Sequence, residues 1–180
     1  MKKLKETYGD DIAIRWRSYE LRPEGSAPIP EDYRKRIEEG RPTLYARMKQ
    51  DHGVDLEAGP FGINSRPSLL VEKYAEAQDK GAVFHDVTQA AYWLEGRDIS
   101  DHTELRMLMQ QANLDPAQLD AVLSDPQYKD EVDFDIVQAR EYGLDGVPAL
   151  VFNDKYLVMG AQPYQTLANA VEKLRSEREA

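Results

Sequence analysis

The sequence predicts an α/β fold in which one strand comes first, a long helical block follows, and a strand hairpin with a helix behind it closes the chain. Three observations carry that expectation. Ile12, Ile14 and Trp16 alternate with Ala13, Arg15 and Arg17, the period of a half-buried strand. Between Ser65 and Tyr142 the apolar residues recur at helical spacing almost without interruption. Near the C-terminus two apolar runs, Ala149 to Phe152 and Tyr156 to Met159, are joined by Asn153-Asp154-Lys155, which tolerates positive φ and favours an antiparallel return.

In order along the chain, Leu4 and Tyr8 lie four apart ahead of Gly9, so residues 1–8 read as the last turns of a helix ending at a glycine. A strand is expected at about 11–19. Pro23, Gly25, Pro28 and Pro30 make 22–30 a loop. From Glu31 to Gln50, Tyr33, Ile37, Leu44 and Met48 are patchily helical, with a break expected at Gly40-Arg41-Pro42, and 53–62 is a second loop. Leu69, Leu70, Tyr74 and Ala77 form a helical stripe expected to stop at Gly81. Val83, Phe84, Val87, Ala90, Ala91 and Leu94 form the next, stopping at Gly96. Ser100 or Asp101 can cap a helix bearing Leu105, Leu108 and Ala112, and Asp115-Pro116 and Asp125-Pro126 each pair a capping carboxylate with a proline suited to the first helical position. The last helix of the block carries Val132, Ile136, Val137 and Ala139 and ends at Gly143.

Pro148, which cannot donate to a ladder, belongs at the entrance of its strand or in a cis turn. Gly160 then breaks the second strand, and Pro163 suits the first turn of a helix with Leu167, Ala170, Val171 and Leu174 on one face.

Composition excludes several functions. The chain has 180 residues and a net charge of −10, an unsuitable balance for neutralising nucleic-acid phosphates, so no DNA or RNA partner is expected. No run of about eighteen apolar residues exists to span a bilayer, and the first ten residues do not resemble a secretory signal, so the cytoplasm is the expected location. The absence of cysteine rules out disulfides, thiolate metal sites and thiol chemistry by this chain alone. His52, His85 and His102 are scattered, with no metal-ligand spacing; His85 beside Asp86 reads as a polar face residue. Runs such as Glu38-Glu39 and Asp130-Glu131 read as solvated helix faces, and no serine sits in a nucleophile elbow. Phe84, Tyr92 and Trp93 fall on the periodic stripe and read as packing. No catalytic residue, resident cofactor or metal site is nominated.

The order of elements, with Gly146-Val147-Pro148 opening a hairpin that closes in Gly160-Ala161-Gln162-Pro163, resembles the DsbA family of thioredoxin-fold oxidoreductases, and within it the FrnE-like branch. The stretch Ile14 to Pro23, the helix start Ile63-Asn64-Ser65, and Glu95 to Ser100 followed by Asn113-Leu114-Asp115 look like the same branch. The resemblance implies a thioredoxin-like core over 1–62 and 143–180 with an all-helical domain inserted at 63–142. It also implies thiol–disulfide oxidoreduction or isomerisation as the lineage activity. Pro148 then corresponds to the family's cis-proline, and Gly146, Val147, Pro148, Gln162 and Asn64 to the residues facing an extended peptide or thiol substrate. A related kappa-class, glutathione-dependent transferase and isomerase group would use Asn64, Val147, Ala161 and Gln162 as approximate glutathione contacts.

The sequence departs from the family at its start. Members open with a strand and a C-x-x-C motif at the head of the first helix, where the helix dipole lowers the thiol pKa. Here Lys3 to Tyr8 reads as the remnant of that helix, the first strand is absent, and on the order of thirty residues of a βα unit are missing. Three expectations follow: Met1 is internal to a longer protein, a homodimer or strand exchange fills the gap, or the chain is a non-redox relative that binds peptides or dimerises.

Overall fold

The computed structural model describes residues 1–179, which divide into two compact units: residues 20–136, and residues 1–19 together with 137–179.

The larger unit is helical. Its first helix, α2 (Glu31–His52), follows α1 (Lys2–Tyr8) of the other unit and runs unbroken through Gly40 and Pro42, where a break was expected. A proline inside a helix removes one N–H and crowds one carbonyl, and here the helix continues past both defects. It ends at Gly53, in the left-handed region at φ 67°, whose N–H donates to the Lys49 carbonyl at 2.9 Å. Helix α3 (Arg66–Ala77) starts where Asn64 Oδ1 accepts from the Arg66 N–H at 3.0 Å. It stops before the expected Gly81, because Asp79 takes the positive φ of 57° and the Lys80 N–H donates back to Ala75. Aspartate is among the few residues that enter this region readily. Gly81 opens α4 (Gly81–Leu94) instead.

Three carboxylates open the elements that follow, as their spacing from the next residues predicts. Asp101 Oδ1 accepts from the N–H groups of Thr103 and Glu104 at 2.8 and 3.0 Å to cap α5 (His102–Gln111). Asp115 accepts from Ala117 ahead of α6 (Leu119–Ser124), and Asp125 accepts from Gln127 at the start of α7 (Pro126–Glu141). The two backbone donors hold the Asp101 carboxyl below the ordinary aspartate value. A depressed folded-state pKa means the cap stabilises above the unfolded value and is lost as pH falls through the folded one. Asp101→Ala should therefore lower the urea midpoint at neutral pH and leave a smaller difference from wild type once acid has protonated the carboxyl.

The core of this unit gathers Val71, Phe84, Ala91, Leu105, Leu108, Met109, Leu119 and Val122, with Phe84, Leu105 and Leu108 fully buried. Tyr92 is half-buried and Trp93 is 40% exposed, so the expected aromatic packing holds for Phe84 and only in part for its neighbours. Among these apolar groups sits an ion pair: Lys73 Nζ lies 2.7 Å from Asp135 Oδ2 and 3.0 Å from Glu76 Oε2. Two turns nearer the start of α3, Arg66 bonds Glu20 at 3.2 Å and Asp133 at 2.6 Å. The chain passes between units at 19/20 and 136/137, so the cations of α3 hold the helical unit's residues beside both crossings.

The smaller unit packs α1 on α8 (Tyr164–Glu179) around Leu4, Ala168, Val171 and Leu174. Its sheet has two strands, β1 (Ala149–Phe152) and β2 (Tyr156–Met159), antiparallel with Ala149 opposite Met159. The strand expected at about 11–19 is not one. Ile12 is extended, Ile12, Ile14 and Trp16 are half-buried, and Ala13, Arg15 and Arg17 are exposed, yet the segment joins no ladder. Alternation reports which face is covered, whereas a strand also needs a neighbour at ladder distance, and the described residues supply none.

Candidate functional site

The mouth of the hairpin is built from backbone. The Val147–Pro148 bond is cis, and the Pro148 carbonyl accepts from the Gly160 N–H at 2.8 Å, so the two ends of the hairpin close on each other. Gly160 reaches this position with φ 73°, where a side chain would be strained. At the far end Asn153 and Asp154 have φ of 48° and 55°, a turn whose twist matches the strands, and the Lys155 N–H donates to Phe152 at 3.0 Å. Tyr142 Oη donates to Asp154 Oδ1 at 2.6 Å, and this bond, first among the causes, raises the phenol's pKa. The turn is thereby tied to the segment that leads into the mouth.

The site residues suggested by the sequence fall into two groups. Gly146, Val147, Pro148 and Gln162 come together at the mouth. Val147 is 52% exposed, and a Cβ added at Gly146 would meet nothing within 4 Å, so this edge is open. Gln162 Nε2 donates to the Met159 carbonyl at 2.8 Å, which makes it a brace for the end of β2. Asn64 belongs to the helical unit, where it accepts from the Arg66 N–H just ahead of α3 and borders a shallow groove of about 250 Å³ lined by Arg22, Glu24, Ser26 and Gly62 among others.

The chemistry this arrangement offers is narrow. There is no cysteine in the chain, and among the described residues no group of three or more histidines and carboxylates could hold a metal. His85 Nδ1 lies 2.8 Å from Glu72 Oε1 between α3 and α4, while His52 and His102 are exposed. No described helix is long and apolar enough to cross a membrane. Val147 can offer an N–H and a C=O to a partner in extended conformation, and its exposed isopropyl group can cover part of that partner's apolar surface.

A family model of the DSBA-like thioredoxin domain matches residues 1–172. Among curated proteins, a probable thioredoxin of Archaeoglobus fulgidus is 43% identical over 42 residues, which are 23% of this chain and 46% of that protein, so the match spans less than half of the relative's length. Among solved structures, a probable DsbA oxidoreductase of Streptomyces coelicolor superimposes with a TM-score of 0.71 at 25% identity, covering 89% of this chain and 74% of its own. A 2-hydroxychromene-2-carboxylate isomerase gives a TM-score of 0.77 at 21% identity, covering 99% and 88%.

Proposed function

The chain belongs to the DSBA-like thioredoxin domain family, and from that premise we propose that it docks an extended peptide or thiol substrate at Val147–Pro148 and contributes no thiol of its own. The observation that carries this reading is the half-exposed Val147 at the mouth of a hairpin, in a chain with no cysteine. Docking needs only main-chain hydrogen bonds, so it does not depend on a redox centre. The lineage activity we propose is protein thiol–disulfide oxidoreduction or isomerisation, in the FrnE-like branch and in the cytoplasm. The grounds are the likeness of Ile14 to Pro23, Glu95 to Ser100 and Asn113 to Asp115 to that branch. Glutathione is the small thiol the same mouth would accept.

Insulin-disulfide reduction tests the first half. With dithiothreitol as electron donor, the purified 180-residue chain should give the turbidity time course of reductant alone; acceleration would overturn the reading. Chemical-shift perturbation tests the second half: titration with reduced glutathione or an extended peptide should move the Val147 amide, and no movement with either would remove the docking site.

A further inference from the structure

The run that leads from α7 into the hairpin is short and loosely held. Helix α7 closes with bonds from the Tyr142, Gly143 and Leu144 N–H groups to the Gln138, Arg140 and Ala139 carbonyls, so Tyr142 stands on the rigid end of a helix. Beyond it the restraint lapses. Gly143 lies at φ 69°, Gly146 precedes Val147, and among the described residues no backbone-to-backbone bond reaches Asp145, Gly146 or Val147. Glycine has the widest backbone freedom of any residue, so two such positions leave the orientation of Val147 weakly set by its own chain.

The hairpin is anchored from the other side. Lys155 Nζ donates to Glu177 Oε2 at 2.9 Å, the Tyr156 hydroxyl donates to Glu177 Oε1, and the Lys173 ammonium lies over the Tyr156 ring, so β2 is fixed to α8. Among the described residues, the side-chain hydrogen bond that joins the end of α7 to the hairpin is that of Tyr142 Oη to Asp154 Oδ1. This bond closes the loop 142–154. Closing a loop removes conformations from every residue inside it, Gly146 and Val147 included.

We propose that Tyr142 is a positioning residue for the docking mouth, its bond to Asp154 holding the Gly143–Val147 run so that Val147 presents its N–H and C=O in one orientation. This rests on the docking reading for Val147 and adds to it what keeps the mouth ordered. An extended partner then meets a preorganised backbone, and less freedom is lost on binding.

Two variants of the full chain test it. Tyr142→Phe removes the hydroxyl and keeps the ring, whereas Asp154→Asn keeps a side-chain oxygen acceptor on a residue that also enters the positive-φ region. In Tyr142→Phe the backbone amide order parameters of Gly146 and Val147 should fall below the rigid value of about 0.85, with the urea midpoint unchanged. Binding of the peptide acetyl-Thr-Val-Thr-Val-Thr-amide, read at the Val147 amide, should weaken about three- to tenfold in Tyr142→Phe and stay within about twofold of wild type in Asp154→Asn. Unchanged order parameters in Tyr142→Phe would overturn the positioning role. Lower order parameters with unchanged affinity would overturn its link to docking and leave the docking reading standing. A loss of affinity in Asp154→Asn equal to that in Tyr142→Phe would overturn the bond as the cause, and a urea midpoint that falls along with affinity would reduce Tyr142 to a general structural role. No response of wild-type Val147 to the peptide or to reduced glutathione would remove both readings.

Discussion

Replacing Lys73 with methionine should destabilise the helical unit by about 3–5 kcal/mol, the range seen when one partner of a buried ion pair is removed. The Lys73 and Asp135 side chains are 4% and 1% exposed, and methionine has similar volume and reach, so the loss is electrostatic rather than a cavity. Burial opposes the ammonium, but the hydrogen bonds it donates to Asp135 and Glu76 outweigh it, and the lysine pKa lies above its ordinary value. A raised folded-state pKa gives a contribution fully present below the unfolded value of about 10.4 and lost as pH rises through the folded one. Urea unfolding followed by far-UV circular dichroism should therefore show the full deficit at neutral pH, narrowing only in strong alkali. Lys73→Met with Asp135→Leu should recover most of the loss, since a well-packed apolar pair matches a buried ion pair in stability. A single variant within about 1 kcal/mol of wild type would mean that the pair does not hold α3 to α7.

That pair also marks the boundary of what the residues alone could tell. Asp101, Asp115 and Asp125 were legible as caps because a cap is local: the carboxylate and the N–H groups it satisfies lie within three residues. The hairpin was legible for the same reason, since its turn, its proline and its closing glycine are all in one stretch. Lys73 was not. It stands among the apolar residues of α3, and only the path of α7 decides whether a carboxylate waits there. The segment 12–19 failed differently. Its alternation is real and is reflected in its burial, but the ladder that would make it a strand is a relation to another part of the sheet. The glycine stop at Gly81 misled because Asp79 could take the same backbone region two residues earlier. At the hairpin mouth the place of Pro148 at the strand entrance was legible, whereas the use of Gln162 as a brace on the Met159 carbonyl depends on how the loop after β2 folds back.

These differences in locality bear on which unit is the more fragile, and Leu4→Ala should expose the answer. Of the eight largest fully buried side chains among the described residues, Leu4 alone belongs to the smaller unit. Truncating a buried leucine to alanine costs about 2–5 kcal/mol, depending on how far the site relaxes. The rest of that core is half-buried strand residues and the small face of α8, so little remains to offset the loss. Helix α1 has seven residues, too few to persist without its tertiary contacts. Those contacts include Leu4 itself, the Tyr164 Oη bond to Thr7 Oγ1 at 2.7 Å, the Tyr8 Oη bond to the Ala168 carbonyl at 3.4 Å, and the Lys3 ammonium over the Tyr164 ring. The expected result is loss of exchange protection across α1, β1, β2 and α8 at urea concentrations where amides around Phe84, Leu105 and Leu108 stay protected. Because Val147 and Pro148 lie in the unit that melts, the docking proposed there should disappear in the same range. If protection were lost in both units together, the chain would unfold as one cooperative body, and the docking edge would owe its stability to the helical core rather than to Leu4.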